Sequence, residues 1–432
     1  MRRIVRTVLS IALSFTLLPF VASAQTAGST PKGPQIKADS NDLSFYQPPA
    51  TTEPYPLTNA RKVKNVILCI GDGMGLSQVT LARVKAAGLG GKLTMERLPV
   101  TGLVRTHSID SCVTDSAAAA TALASGVKTK NGMIGMTPDG QKYGTILEAA
   151  KGKGMATGLV ATSTITHATP AGFAAHVNAR SLEDKIAAQL LANKVNVLFG
   201  GGRKFFLPRS SSDSARKDDL NPLAAAREAG YMYLETGDEL PSARGPYVLG
   251  LFQVGPLTTI APEPSLVMLT QKAIQILKSD VDTGRKPGTT GTSGPRPGTS
   301  TRKPGFFLMV EGSQIDWACH ANDALGAVRQ TLLFDQAVAA AVAFALIDGG
   351  TLVIVTADHE TGGLTLVGAG NEDKGDTELT VRWSTKGHTG SPVPLYALGP
   401  GAAQFAGVCD NTDIPRKIAR LLDLQPFPRP LK

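Results

Sequence analysis

Six short runs of consecutive apolar residues recur along the chain: Lys64–Ile70, Thr157–Ala161, Val195–Phe199, Phe306–Val310, Thr351–Thr356 and Leu395–Leu398. Their apolar positions are contiguous rather than alternating and several are β-branched, which is the pattern of strands buried on both faces. Longer stretches of helical character separate them, among them Ile186–Leu191, Ser265–Leu277 and Asp323–Leu346. Strands alternating with helices predict an α/β fold. The expected architecture is a three-layer sandwich, with a large, mostly parallel central sheet flanked by helices.

Three segments break this pattern. Residues 1–24 carry Arg2, Arg3 and Arg6, an apolar run from Val8 to Phe20, then Ala22-Ser23-Ala24, the plan of a secretory signal peptide cleaved after Ala24. The run is too short to span a bilayer and no later segment reads as a membrane anchor, so a periplasmic or secreted protein is expected. Residues 25–60, rich in Pro, Thr, Ser and Gly, read as a linker or surface arm. Residues 61–432 are then expected to form a single catalytic domain, interrupted at about 282–305 by a low-complexity tract with five basic residues.

Charge changes the picture little. The net charge is +9, and loss of the three signal-segment arginines leaves +6, enough to favour small acidic substrates. No basic stripe interleaves with aromatics, which argues against nucleic acid as a partner. Cys69, Cys112, Cys319 and Cys409 have no C-x-x-C spacing; three disulfide pairings are open, Cys112–Cys319 among them.

Chemistry concentrates in two features. In Val113–Leu123, Asp115-Ser116 opens an alanine-rich helix, which places Ser116 beside unpaired backbone N–H groups and the positive end of the helix dipole. A capping serine would give the same local sequence. The second feature is that three strands end in acids: Asn65–Ile70 runs into Asp72, Phe306–Val310 into Glu311, and Thr351–Thr356 into Asp358-His359. In an open α/β sheet, ligands gather at the carboxyl ends of the strands. Of only six histidines, His320 lies four residues after Asp316, His359 follows Asp358, and His388 sits between glycine-rich neighbours. Imidazole mixed with carboxylate suits zinc, whereas Asp, Glu and Thr oxygens suit magnesium.

At this point the chain resembles the alkaline phosphatases, secreted metal-dependent phosphomonoesterases. The likeness rests on Ile70-Gly-Asp-Gly-Met-Gly75, Thr114-Asp-Ser-Ala-Ala118, Val310-Glu-Gly-Ser-Gln-Ile-Asp316 with His320, Thr356-Ala-Asp-His359 and His388-Thr-Gly-Ser391, in family order. It implies a phosphoserine intermediate on Ser116, one zinc on Asp316, His320 and His388, and a second on Asp72, Asp358 and His359. It also implies a magnesium-like third site at Asp72, Thr169 and Glu311, an arginine, Arg180, that grips the substrate phosphate, and a homodimer. The chain departs from some bacterial members at His167, where they have Asp, and at Trp317, where they have a basic residue, so cobalt or zinc becomes an alternative for the third site. A short Gly363–Lys386 stretch predicts a small crown insertion and broad substrate acceptance.

Two other readings compete. A phosphodiesterase or sulfatase of the same superfamily would share the sheet and part of the metal cluster. A non-catalytic phosphate-binding export protein would keep an anion pocket.

Overall fold

The computed structural model describes residues 42–57, 62–283, 304–368 and 379–432. The signal segment 1–24, most of the 25–60 arm and nearly all of the 282–305 tract lie outside the described residues.

Ten strands form the main sheet: β1 (Asn65–Gly71), β2 (Val100–Arg105), β3 (Ala156–Thr164), β4 (Val197–Gly201), β5 (Met232–Leu234), β6 (Val248–Leu251), β7 (Phe306–Gly312), β8 (Thr351–Ala357), β9 (Val393–Leu398) and β10 (Gly407–Asp410). Their order is β10-β2-β9-β8-β1-β7-β3-β4-β6-β5. Only β9 runs against the rest, antiparallel to both β8 and β2. All six apolar runs are strands, in line with the expected sandwich. The pattern missed β2, β5, β6 and β10. β2 alternates buried and accessible positions, while β5, β6 and β10 are three or four residues long.

Two groups of helices cover the sheet. One contains α1 (Leu76–Ala87), α4 (Leu266–Thr283), α5 (Gln314–His320) and α6 (Ala324–Asp348); the other contains α2 (Ser116–Ser125), α3 (Ile146–Gly152) and α7 (Asp413–Leu421). Among the described residues α6 is the one helix long and apolar enough to cross a membrane. Its apolar content lines the core instead, with Val328, Leu332, Phe334, Val338 and Val342 at most 1 % exposed.

The centre of the sheet fixes the chemistry. β1 lies between β7 and β8, and the registers pair Ile70 with Glu311 and with Thr356, then Gly71 with Gly312 and with Ala357. Three neighbouring strands therefore stop at one level, and Asp72, Glu311 and Asp358 come off the same edge. No packing requirement asks for charge there.

The described part of the arm, residues 42–57, is mostly exposed but is pinned at Tyr46. Tyr46 is buried and donates to Asp335 Oδ2 at 2.7 Å, and the same α6 carboxylate accepts from the backbone N–H groups of Thr94 and Met95, both at 2.9 Å. Asp335→Ala strands these donors and is expected to cost about 2–4 kcal/mol, whereas Tyr46→Phe removes one bond and costs about 1 kcal/mol. Denaturant unfolding of the two variants checks this; equal losses would contradict a shared anchor at Asp335.

Candidate active site

The Ser116 helix starts as its sequence suggests, with one difference in role. Asp115 is the N-cap, its Oδ1 accepting from Ala118 N at 2.9 Å, and Ser116 is the first helical residue. Since Asp115 does the capping, the Ser116 hydroxyl is not spent on it and lies 3.3 Å from His359 Nε2. The alanine run has a packing cause. All ten residues of α2 are buried, and Gly172 approaches so closely that a Cβ there would lie 2.7 Å from Ala120 Cβ.

Two mixed clusters adjoin this serine. In the first, α5 sets Asp316 and His320 on one face; His320 Nε2 is 3.2 Å from Asp316 Oδ2, and His388 Nε2 is 3.5 Å from Asp316 Oδ1 and 3.2 Å from His320 Nε2. In the second, His359 Nε2 lies 3.1 Å from Asp358 Oδ2 and 3.5 Å from Asp72 Oδ1. Asp358 Oδ1 is already occupied by the N–H groups of Gly73 and His359, which leaves Oδ2 for the site.

The three imidazoles share an orientation. Each directs Nδ1 at an anchoring oxygen: His320 at Lys386 O, His388 at Thr114 O (2.8 Å), and His359 at Thr361 Oγ1 (3.2 Å). A ring anchored through Nδ1–H offers its Nε2 lone pair to a cation, the arrangement of metal-ligating histidines.

A third cluster joins Asp72, His167 and Glu311, with Thr169 buried alongside. Asp72 Oδ1 and Oδ2, Glu311 Oε1, Asp358 Oδ2 and Thr169 Oγ1 are five of the ten buried side-chain polar atoms that lack a hydrogen bond among the described residues. Buried polar groups are nearly always satisfied, so such a concentration fits divalent cations at the second and third clusters.

Electrostatics agrees. Burial, then Asp358, Asp316 and Glu311, push Asp72 well above the usual carboxylate range, and burial above all raises Glu311 to about 7. Asp316 is held low despite its burial, because His320 donates to it and further imidazoles surround it. The same contact with Asp316 raises His320 to about 9. Burial and then His359 hold His388 down at about 4.

Arg180 sits at the rim. Its Nη1 donates to Asp115 Oδ2 at 3.1 Å and its Nη2 to His167 Nε2 at 3.0 Å. Trp317 meets the His167 ring edge-on, 6.1 Å between centroids. Every sequence-predicted site residue thus falls in one contiguous region. The cysteine pairings that the sequence left open are not made: all four cysteines are free. Cys319 is buried behind Asp316 with Gln78 Nε2 3.8 Å from its sulfur, while exposed Cys112 lies against Gly390, so the two have different surroundings.

The sequence matches the family described as alkaline phosphatase over residues 63–378 and 369–424. The chain belongs to the alkaline phosphatase family. It is 35% identical to alkaline phosphatase 4 of Bacillus subtilis (strain 168), across 84% of this chain and 89% of that protein. It is 33% identical to the streptomycin-6-phosphate phosphatase of Streptomyces griseus, across 89% and 96%. The alkaline phosphatase of the Antarctic bacterium TAB5 superposes with a TM-score of 0.71 at 35% identity, covering 84% of this chain and 100% of that one. A histidine-to-aspartate mutant of that enzyme is described with magnesium bound in its M3 site (34% identity, 84% and 99% coverage, TM-score 0.69). Like its family, this alkaline phosphatase hydrolyses phosphate monoesters and is a divalent-metal enzyme.

Two residues that sequence reading passed over shape the site. Asp115 looked like a cap alone, yet its Oδ2 also holds Arg180 and the N–H of Gly132. His176 lies four residues before Arg180 and carries no other signal in the sequence. Its Nδ1 is 2.7 Å from Gly135 O and its Nε2 is 3.1 Å from Glu148 Oε1, so both ring nitrogens face acceptors and the ring is held as imidazolium. Burial opposes that charge, but Glu148 outweighs it and raises His176 above its usual 6.5; the partner Glu148 is lowered in spite of its own burial, by His176. The pair ties down the segment whose Val177 bridges Ile134 and whose Arg180 N–H reaches Gly132 O.

A raised histidine contributes stability in full below its unfolded pKa and loses it as pH rises through the folded one; a lowered glutamate loses its share as pH falls through its own folded pKa. The destabilisation by His176→Gln is therefore expected to be largest near pH ~6 and to shrink towards pH ~9. Melting temperatures of both proteins across that range test it. A difference that stays flat would refute the charged pair.

Proposed function

We propose that Ser116 is the nucleophile, that zinc ions are held by Asp316, His320 and His388 and by Asp72, Asp358 and His359, and that a third divalent ion is held by Asp72, Thr169 and Glu311 beside His167. The observation that carries this reading is the Ser116 hydroxyl, free of capping duty, at a helix N-terminus 3.3 Å from the Nε2 of a candidate ligand.

When bound, the zinc ions supply Lewis acidity, lowering the pKa of a hydroxyl or water at the site and neutralising charge on the leaving oxygen. The chain's own groups do the rest. Arg180, already oriented by Asp115, offers a planar pair of donors to two phosphoryl oxygens, a grip lysine does not reproduce. The N–H groups at the start of α2 add positive potential where the phosphoryl charge lies. Ser116 Oγ forms a bond to phosphorus as the ester P–O bond breaks and the alcohol leaves. Water then displaces Ser116 from the phosphoserine and inorganic phosphate departs. Two in-line displacements retain configuration at phosphorus.

Two competing readings lose support. The Thr169 and Glu311 oxygens of a third site disfavour a diesterase, and Ser116-Ala-Ala-Ala-Ala120 lacks the motif of a modified sulfatase nucleophile. The complete ligand sets disfavour a non-catalytic phosphate binder. The short Gly363–Lys386 stretch, described as an antiparallel pair of Leu364–Gly368 with Thr380–Trp383, supports a small entrance cover and broad acceptance of monoesters. The 1–24 pattern supports export to the periplasm or medium, and family likeness supports a homodimer.

Ser116→Ala is expected to lower monoester turnover by ~1,000-fold or more. Acid-trapped phosphate should map to residue 116 in wild type. Label on another residue, or inversion at phosphorus, would overturn the assignment.

His167 sets the third site apart. Burial and then Arg180 depress its pKa to about 3, so the ring is neutral. Arg180 can only donate, so His167 Nε2 accepts and the proton sits on Nδ1. A neutral ring in that tautomer brings neither charge nor a free lone pair to magnesium. His167→Asp supplies both and is expected to tighten magnesium binding. Titrating metal-free wild type and variant with magnesium, zinc and cobalt by calorimetry checks this. Superimposable magnesium isotherms would mean that residue 167 does not tune the site.

A further inference from the structure

Thr361 belongs to none of the three candidate ligand clusters, yet it touches two of them. It follows His359 by two positions and is fully buried. Its Oγ1 lies 2.5 Å from Asp316 Oδ1 and 3.2 Å from His359 Nδ1. Carboxylate oxygen only accepts, so the hydroxyl spends its single proton on Asp316. Its oxygen is then left to accept from His359 Nδ1–H. One hydroxyl thus links a ligand of the first zinc site to a ligand of the second, as donor to one and acceptor from the other.

The backbone doubles the link. Thr361 N donates to Gly73 O at 3.2 Å, next to Asp72, and Thr361 pairs with His388 in the short antiparallel ribbon where Glu360 pairs with Thr389. Residues of both ligand sets are therefore fastened to this one position. Space is committed as well. Gly73 has φ +73°, and a Cβ there would lie 2.8 Å from both Thr361 Oγ1 and Asp316 Cα. Glu360 locks the ribbon, accepting from Gln78 Nε2 at 2.7 Å and from the Thr389 hydroxyl.

We infer that Thr361 is a positioning residue that couples the two zinc sites, its hydroxyl holding His359 as the tautomer with a free Nε2 while orienting Asp316. This rests on the two-zinc reading above. A chain of hydrogen bonds in which one group both accepts and donates polarises along its length. A His359 ring fixed at Nε2 would fix Thr361 through Nδ1–H, and the fixed hydroxyl would hold Asp316 in its ligating orientation. Filling either site then prepares the other.

The test is a zinc titration of chelator-stripped protein against a chromophoric competitor, for wild type, Thr361→Val and Thr361→Ser. Wild type is expected to take up two zinc ions cooperatively at the mixed clusters. Thr361→Val, equal in shape but without the hydroxyl, should bind both 10–100-fold more weakly and without cooperativity. Thr361→Ser restores the hydroxyl and should return close to wild type. Wild-type affinities in Thr361→Val would overturn the inference while leaving the two-zinc reading intact. A wild type that takes up no zinc at these clusters would overturn the reading itself.

A measurement on unmodified protein covers a Thr361→Val that does not fold. In zinc-loaded wild type with ¹⁵N-labelled histidines, the His359 Nδ1 proton should be present and protected from solvent exchange. An unprotonated Nδ1 would sink the proposal.

Discussion

Four carboxylates, Asp72, Glu311, Asp316 and Asp358, are buried together, three of them fully and Asp316 with 5 % exposure. Bringing like charges into a low-dielectric interior costs several kcal/mol per ion unless something compensates, and the imidazoles are too few to neutralise all four. Only cations satisfy the cluster as fully ionised groups. The protein's remaining recourse is to hold protons, which is why Asp72 and Glu311 are pushed upward. Much of the architecture can be understood as keeping that unfavourable arrangement in place.

The sheet does so by register. Because β7, β1 and β8 pair in parallel and stop together, the distances among Asp72, Glu311 and Asp358 are set by a fully buried framework rather than by loops. Backbone N–H groups then use one oxygen of Asp358 and leave the other facing the site. Anchors on Nδ1 do the same for the three histidines. The proposed nucleophile is supported differently. Ser116 is delivered by a helix of small residues that packs closely against Gly172, and Asp115 both starts that helix and holds Arg180. The proposed nucleophile and phosphate grip are therefore both positioned by Asp115.

The parts of this design written into local sequence were legible without the structure. Contiguous apolar runs gave away the central strands, because a strand buried on both faces has no other way to read. Asp72, Glu311 and Asp358 were visible because charges at the ends of such strands have no packing role, and Asp316 with His320 because four residues make one helical turn. Edge strands such as Gly407–Asp410 were not, since half-exposed short segments lack a clear period. Residues whose importance arises from long-range contact were equally hidden. Asp335 reads as an ordinary polar position on a helix, and its partners Tyr46, Thr94 and Met95 lie about 240 or more positions away. His176 gains its meaning from Glu148, and Thr361 from Asp316. The free cysteines were beyond reach because disulfide pairing depends on where the chain returns in space.

The most direct test of cation-compensated carboxylates is anomalous diffraction at the zinc edge from crystals of the protein as purified. Two peaks about 4 Å apart are expected, one among Asp316, His320 and His388 and one among Asp72, Asp358 and His359, with Ser116 Oγ beside the second. Well-ordered, metal-free clusters in an active preparation would contradict the account.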